Sequence, residues 1–233
     1  RARHQEWSTR LAIPQINPVT AAILADDKCA TTSAWADAGL QTPPFIPIGP
    51  RDLQAAIQFV STHGEAVIKP NADSEGRGVA YIQSPDDFAA YWRTTRSSQN
   101  ALLQARRDRV FFKDPQTQTI RTLALRLNVG SDGVYRQVES GYAQLGAHTR
   151  SPASRGRDGA IAALADLENN LVYKSAGHWQ PLFLGAHFWR ETTTCAERGA
   201  AIFSDLLLVG LDLIIDVDGD GRPSALLLEA NPR

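Results

Sequence analysis

The last stretch of the chain, "DLIIDVDGDGRPSALLLEANPR" (Asp212 to Arg233), carries five carboxylates. Two metal chemistries compete for them. Asp216, Asp218, Asp220 and Gly221 form the opening of a calcium loop, D-x-D-x-D-G. Such a loop needs a bidentate Glu at its twelfth position, which here is Leu227; Glu229 comes two residues late. Its flanks are also short apolar runs rather than helices. Asp-Gly between such runs predicts a hairpin. With a two-residue turn at Asp220 and Gly221, Asp212 faces Glu229. Side chains alternate along a strand, so Asn231 shares the face of Glu229. Two facing carboxylates repel, and a magnesium ion held by hard oxygens would relieve them. The alternative is that one acid points to water and Asn231 opens the turn before Pro232.

A second stretch, "VIKPNADSEGRGVAYI", sends a strand to Lys69, passes through a small polar loop and leaves as a strand. Gly76 and Gly78 allow close backbone approach to a ligand, and Lys69 supplies a point charge suited to phosphate. The pattern is neither a Walker A loop nor G-x-G-x-x-G. A plain β-turn with an exposed Lys is the competing reading. The chain has twenty Arg and four Lys (Lys28, Lys69, Lys113, Lys174), so Arg serves for general positive charge. The few lysines then mark places where a compact ammonium is wanted.

Arg121 lies mid-strand among apolar neighbours and needs an anion, either a structural carboxylate or a phosphate. Arg126 and Arg136 read as surface residues of a hairpin. Arg150, Arg155 and Arg157 read as a solvated loop. His148, His178 and His187 lack ligand spacing.

These side chains need elements to hold them. Asp26–Gly39 reads as a helix stopped at Gly39, and "TPPFIPI" as extended. "EAVIKPN", "GVAYIQ" and "ALLQA" read as strands. Ser84 and Pro85 open a helix. "TIRTLALRLNV" and "VYRQVES" form a hairpin around "GSDG". Ala160–Leu167 reads as a short helical stretch, and "TTTCAERGAAIFSDLLLVG" as the last helix. Strands interleaved with helices and antiparallel hairpins give an α+β class rather than a doubly wound parallel sheet.

Composition bounds the rest. The 233 residues are 43% hydrophobic and 21% charged with a net charge of −1, so no global field favours nucleic acid or an anionic membrane. No apolar run approaches the ~20 residues of a membrane helix. Cys29 and Cys195 read as two reduced thiols, which points to the cytoplasm. The start at Arg1 and the absence of Met are read as marks of a piece of a longer chain.

Taken in order, the motifs resemble the ATP-grasp superfamily, in particular its carboxylate–amine ligases, from about Asp27 to Arg233. "DDKCATTSAWADAGLQTPPF" is similar to the family's Asp-Lys helix and G-[IL]-x-[TV]-P entry. "VIKPNADSEGRGV" is similar to its V-x-K-P strand and phosphate loop, and "LLQARRD" to its hinge strand. "TIRTLAL" is similar to D-I-R-V, with Thr119 in place of the Asp. "GLDLIIDVDG" and "LLLEANPR" are similar to its closing G-[VL]-D and E-[VAI]-N-P-R elements. The resemblance implies two α+β subdomains clasping ATP between antiparallel sheets, with residues 21–103 as the small lid and 104–233 as the larger subdomain. Residues 1–20 would be a lead-in from a further N-terminal domain.

The resemblance also implies roles. Lys28 and Lys69 would contact phosphates, with Ser74, Gly76 and Gly78 in the loop over them. Gln104 and Ala105 stand where the hinge acid is usual, so adenine would be met through backbone groups. Asp108 would meet the ribose. Arg121, with Lys69, would stabilise the transferred phosphoryl. Asp212, Glu229 and Asn231 would hold magnesium, or manganese in its place. The implied reaction joins a small-molecule carboxylate, such as an amino acid or peptide, to an amine through an acyl phosphate. A homo-oligomer is compatible with it. The rival readings are a non-catalytic ATP-binding regulatory module and a calcium-binding structural domain.

Overall fold

In the first half of the chain, short strands are set apart by Pro- and Gly-containing breaks. The computed structural model describes residues 16–71, 76–95, 100–154 and 158–232. Strands β1 (Phe45–Ile48), β2 (Ala66–Pro70), β3 (Ala80–Ile82) and β4 (Ala101–Ala105) form an antiparallel sheet in the order β1-β4-β2-β3. Alternation in β2 sends Ala66 and Ile68 into a core with Phe59, Val60 and Phe88, and leaves Val67 and Lys69 on the opposite face. That core lies under two helices, Leu53–His63 and Pro85–Thr95. The second has Pro85 at its first position, where a missing N–H costs nothing. Ser84 Oγ accepts from Asp87 N (3.1 Å), and the Asp87 carboxylate accepts from Gln83 N (2.9 Å).

The larger sheet has eight strands: β5 (Val110–Lys113), β6 (Ile120–Ser131), β7 (Arg136–Leu145), β8 (Ala160–Ala163), β9 (Leu171–Ser175), β10 (His178–Leu182), β11 (Leu208–Val217) and β12 (Pro223–Asn231). Their order is β10-β9-β5-β6-β11-β12, with β7 beside β6 and β8 beside β7. Behind this sheet pack helices Val19–Asp26, Lys28–Asp37 and Ala186–Ala201. The buried Trp35 donates Nε1–H to Gly199 O (3.0 Å), locking the second of these helices to the last. A Cβ at Gly199 would come within 3.0 Å of Leu227, so the small residue lets the helix close on β12. Among the described residues no helix is long and apolar enough to cross a membrane.

Four of the departures from the sequence reading bear on how the two sheets are assembled. β4 stays whole in the small sheet, so the chain crosses between sheets at 106–109 rather than within it. Ala25, Trp35 and Leu40 belong to the core of the large sheet, so the segment from 21 to 40 packs there and not with the lid. Ala160–Ala163 is a strand followed by a 3₁₀ turn at Leu164–Leu167, because the free edge of β7 offers it a hydrogen-bonded ladder. The last helix spans Ala186–Ala201, and Leu208 already belongs to β11.

Candidate active site

The two sheets share a cleft, lined by residues of both. Val67, Lys69, Tyr81 and Gln104 enter it from the small sheet. Lys69 is only 7% exposed, and its Nζ has no hydrogen-bond partner among the described residues. Burial pulls its pKa down to about 8; Glu229, Asp212 and Asp108 oppose that shift, while Lys28 adds to it. Gln104 is 1% exposed, with both side-chain polar atoms unpartnered among the described residues. Buried polar groups are nearly always paired, so these orphaned atoms mark a place shaped for a ligand.

The loop after Lys69 is anchored by Asn71. Its Oδ1 accepts from Cys29 N (2.9 Å), and its Nδ2 donates to Asp27 (2.9 Å). Asp27 in turn caps the helix by accepting from Ala30 N (2.8 Å). This seats Lys28, itself 7% exposed, in the first helical turn at the edge of the cleft. Gly76 and Gly78 both adopt φ of 68°, the left-handed region that suits glycine. Ser74 lies outside the described residues, as do Arg155 and Arg157.

At the crossing, two backbone donors are already taken. Gln104 is paired on both sides, with Phe45 and Val67. Ala105 N donates to Pro44 O (2.8 Å), and Arg106 N to Glu65 O (2.8 Å). Asp108 lines the cleft, yet its carboxylate is held by Arg106 Nε (2.8 Å), so the oxygen expected at a ribose faces a guanidinium. Burial pushes that carboxyl up against the opposing pull of Arg106. Arg106 also meets Glu65 (3.1 Å), Thr149 O (2.7 Å) and the face of Tyr81 at 5.0 Å, tying both subdomains together.

On the large sheet, Asp212 does face Glu229, although by a different route from a two-residue turn. Near the turn Val217 pairs with Pro223, one residue out of the expected register. A bulge at Leu228 restores the register, so Asp212 pairs with Glu229 and Gly210 with Asn231. The bulge also turns two successive residues, Leu228 and Glu229, toward the cleft. Strict alternation after the core residue Leu227 would have aimed Glu229 inward.

Repulsion between the two acids is relieved by the protein's own cations. Arg126, directly opposite Asp212 on β6, grips its carboxylate with Nε and Nη2, the latter at 2.8 Å. Gln144 Nε2 (3.0 Å) and Asn231 Nδ2 (3.2 Å) fill the remaining acceptor positions. Lys28 Nζ stands 3.3 Å from Glu229. Two carboxylates beside an amide oxygen suit a hard cation. Glu229 and the Asn231 Oδ1 retain acceptor capacity, whereas Asp212 reaches a cation only by releasing a donor. Among the described residues no three His, Cys, Asp or Glu gather as a metal cluster.

Arg126 and Arg121 exchange their expected places. Arg126 is not a surface residue: its side chain is 17% exposed and lines the cleft with Thr122 and Ala124. Arg121, of opposite parity on β6, is absent from the cleft lining and stands 3.7 Å from Asp114. Arg136 likewise leaves the surface role, donating to Leu206 O (3.0 Å) and Phe203 O (3.1 Å) in the turn that follows the last helix. The aspartate run is a turn. Asp218 Oδ1 accepts from Asp220 N (2.9 Å) and Arg222 N (2.8 Å), Gly221 takes φ of 81°, and Asp216 meets Arg109 at 3.4 Å.

No family model and no curated protein matches the sequence. Solved structures do match. The D-alanine-D-alanine ligase from Coxiella burnetii is similar with a TM-score of 0.61 and 11% identity, over 92% of this chain and 49% of that one. The biotin carboxylase domain of the Hydrogenobacter thermophilus 2-oxoglutarate carboxylase, in complex with MgADP and bicarbonate, is similar with a TM-score of 0.65 and 14% identity, over 98% and 44%. The ATP-grasp ligase PsnB, complexed with its minimal precursor, is similar with a TM-score of 0.58 and 17% identity, over 100% and 62%. The chain therefore spans roughly half the length of these structures. At such identities the likeness is one of fold, and the two antiparallel sheets with their helices have the ATP-grasp fold of these structures.

Proposed function

We propose that the chain is the nucleotide-binding and catalytic part of an ATP-dependent ligase that joins a carboxylate to an amine, releasing ADP and phosphate. The observation that carries this is the buried Lys69 ammonium, without a hydrogen-bond partner among the described residues and set in the cleft with Lys28, Glu229 and Asp212. Structures of similar fold named as ligases, one of them bound to MgADP, support the reading.

In this reading the triphosphate runs from the crossing toward Lys69, Gly76 and Gly78. Ala124, Ile214 and Leu226, with Leu228 beside them, form an apolar floor for the base. Lys69 and Lys28 neutralise phosphate oxygens, and Arg126 meets charge that develops during transfer. Arg121 stands apart from the cleft, so its expected task passes to Arg126. Glu229 and Asn231, joined by Asp212 once a donor is released, would hold magnesium, which supplies charge neutralisation on the phosphates. The γ-phosphoryl group passes to a carboxylate oxygen of the substrate and ADP leaves. The amine nitrogen then attacks the acyl carbon, phosphate departs with the C–O bonding electrons, and the amine proton goes to solvent. A closed cleft keeps water from the acyl phosphate.

The test is ADP release against a panel of amino acids and peptides offered with amines, across a magnesium titration. ADP formed in proportion to an amide product supports ligation. Nucleotide binding without ADP release under any pairing would leave a binding module and reject the ligase.

A further inference from the structure

Gln104 carries an inference of its own. It occupies the central strand of the small sheet, with Phe45 on one flank and Val67 on the other. The next two backbone donors are already taken, by Pro44 O and Glu65 O. The Gln104 side chain is a polar group that this position offers to the cleft. It is 1% exposed, and neither its oxygen nor its nitrogen has a partner among the described residues. An unpaired buried carboxamide destabilises the fold until a ligand presents a donor beside an acceptor. Val67, its cross-strand neighbour, lies two residues from Lys69, about 7 Å along β2. The apolar floor of Ile214 and Leu228 lines the same cleft. Here a flat ring can lie against the floor, with its polar edge on the amide and its phosphates toward Lys69.

We propose that the Gln104 carboxamide reads the six-position edge of the purine. This rests on the ATP-site reading above. A carboxamide sets an acceptor beside a donor in one plane, and adenine presents its N6–H beside a ring-nitrogen acceptor, the complementary pair. Half a turn about the terminal torsion exchanges donor and acceptor. The amide then complements a 6-oxo purine, whose oxygen accepts and whose N1–H donates. A carboxylate at this place can only accept. The position therefore tolerates both 6-amino and 6-oxo purines.

The experiment is calorimetric titration of the wild type, Gln104→Leu and Gln104→Glu with ATP, ITP and purine riboside triphosphate, each with magnesium. The wild type should bind ATP and ITP within about tenfold of each other, and both about tenfold or more above the purine riboside triphosphate, which lacks a six-position substituent. Gln104→Leu should bind all three alike and, with the orphaned amide gone, should melt no lower than the wild type. Gln104→Glu should keep ATP and raise the ATP-to-ITP ratio about tenfold over the wild type. If Gln104→Leu retains the wild-type preference for ATP over the purine riboside triphosphate, the proposal is overturned while the ATP site stands. An unchanged ratio in Gln104→Glu overturns it equally. If the wild type binds none of the three, the ATP-site reading falls and takes this proposal with it.

Discussion

Arg126 and Asp212 face each other across β6 and β11, and the guanidinium spans both oxygens of the carboxylate. The Asp212 side chain is 12% exposed and also opposes the like-charged Glu229. Removing one member of a buried pair costs about 3–5 kcal/mol, because the other charge is left uncompensated. Gln144 and Asn231 still donate to Asp212, so Arg126→Leu should destabilise the fold near the lower end, about 3 kcal/mol. Adding Asp212→Asn should recover much of the loss. Urea unfolding of both variants measures this, and a fully stable Arg126→Leu would contradict it.

Glu229 and Asp218 provide a contrast. Glu229→Gln should lower magnesium-dependent ADP release about a hundredfold, since charge neutralisation at the phosphates is lost. Asp218→Asn should leave it nearly intact, because an Asn oxygen can accept from Asp220 N and Arg222 N as Asp218 does. Turnover at graded magnesium, with circular dichroism as the folding control, separates the two. The opposite ranking would move the metal to the turn.

Lys69 makes stability and binding depend on pH in opposite directions. Its pKa falls from 10.5 in the unfolded reference to about 8 in the fold, with Glu229, Asp212, Asp108 and Lys28 as the charged groups acting on it. Below about pH 8 both states hold the proton and the fold bears the full cost of the buried ammonium. Between those two pKa values the unfolded chain binds more protons, so the Lys69 contribution to stability rises with pH. Lys69→Met should be about 3 kcal/mol more stable than the wild type near pH 7, and the gap should close toward about pH 10. ATP affinity of the wild type should fall above about pH 8, as the cation that meets phosphate is lost. Denaturation and binding series on both proteins would show a flat difference if Lys69 were solvated.

Gly146 lets the loop after β7 fold back so that Pro152 and Ala153 line the cleft. A Cβ there would lie 2.2 Å from Thr122 Oγ1 and 2.8 Å from Ser151 O. Gly146→Ala should therefore destabilise by about 1–3 kcal/mol, by overpacking against backbone. It should also weaken nucleotide binding through the displaced Ala153, which packs on the apolar floor. An unshifted melting temperature would show that the loop yields freely.

The sequence reveals much of this site where chemistry and local signal coincide. Lys69, Gly76, Glu229 and Asn231, which line the cleft, sit in recognisable strand–loop or hairpin patterns. The Arg126 position was also available, since Leu123, Leu125 and Leu127 alternate with Thr122, Ala124 and Arg126 and mark which face is core. What misled was the charge of Arg126 itself, which reads as surface unless its cross-strand partner is known. Hairpin β9–β10 escaped for a different reason. Its turn uses Ala176 at φ of 47° and Gly177 at 84°, and "SAGH" lacks the Asn-Gly or Asp-Gly that announces two positive φ values. The saturation of Asp212 by Arg126, Gln144 and Asn231 depends on three strands meeting, which no local pattern encodes.

The bulge at Leu228 has a further consequence for chain length. Leu226, Leu227 and Leu228 are three identical letters, so losing any one of them yields the same protein. In the shortened strand the faces would fall in simple succession: Ala225 to the core, a leucine to the cleft, a leucine to the core, Glu229 to the cleft, Ala230 to the core and Asn231 to the cleft. Those are the sides these residues already take around the bulge. A single-residue deletion, ordinarily ruinous inside a strand, should here keep every polar group where it stands. It would remove one hydrocarbon side chain from the apolar floor of the cleft and straighten the strand. The triplet is thus a place where the gene can lose a codon and trade pocket depth alone.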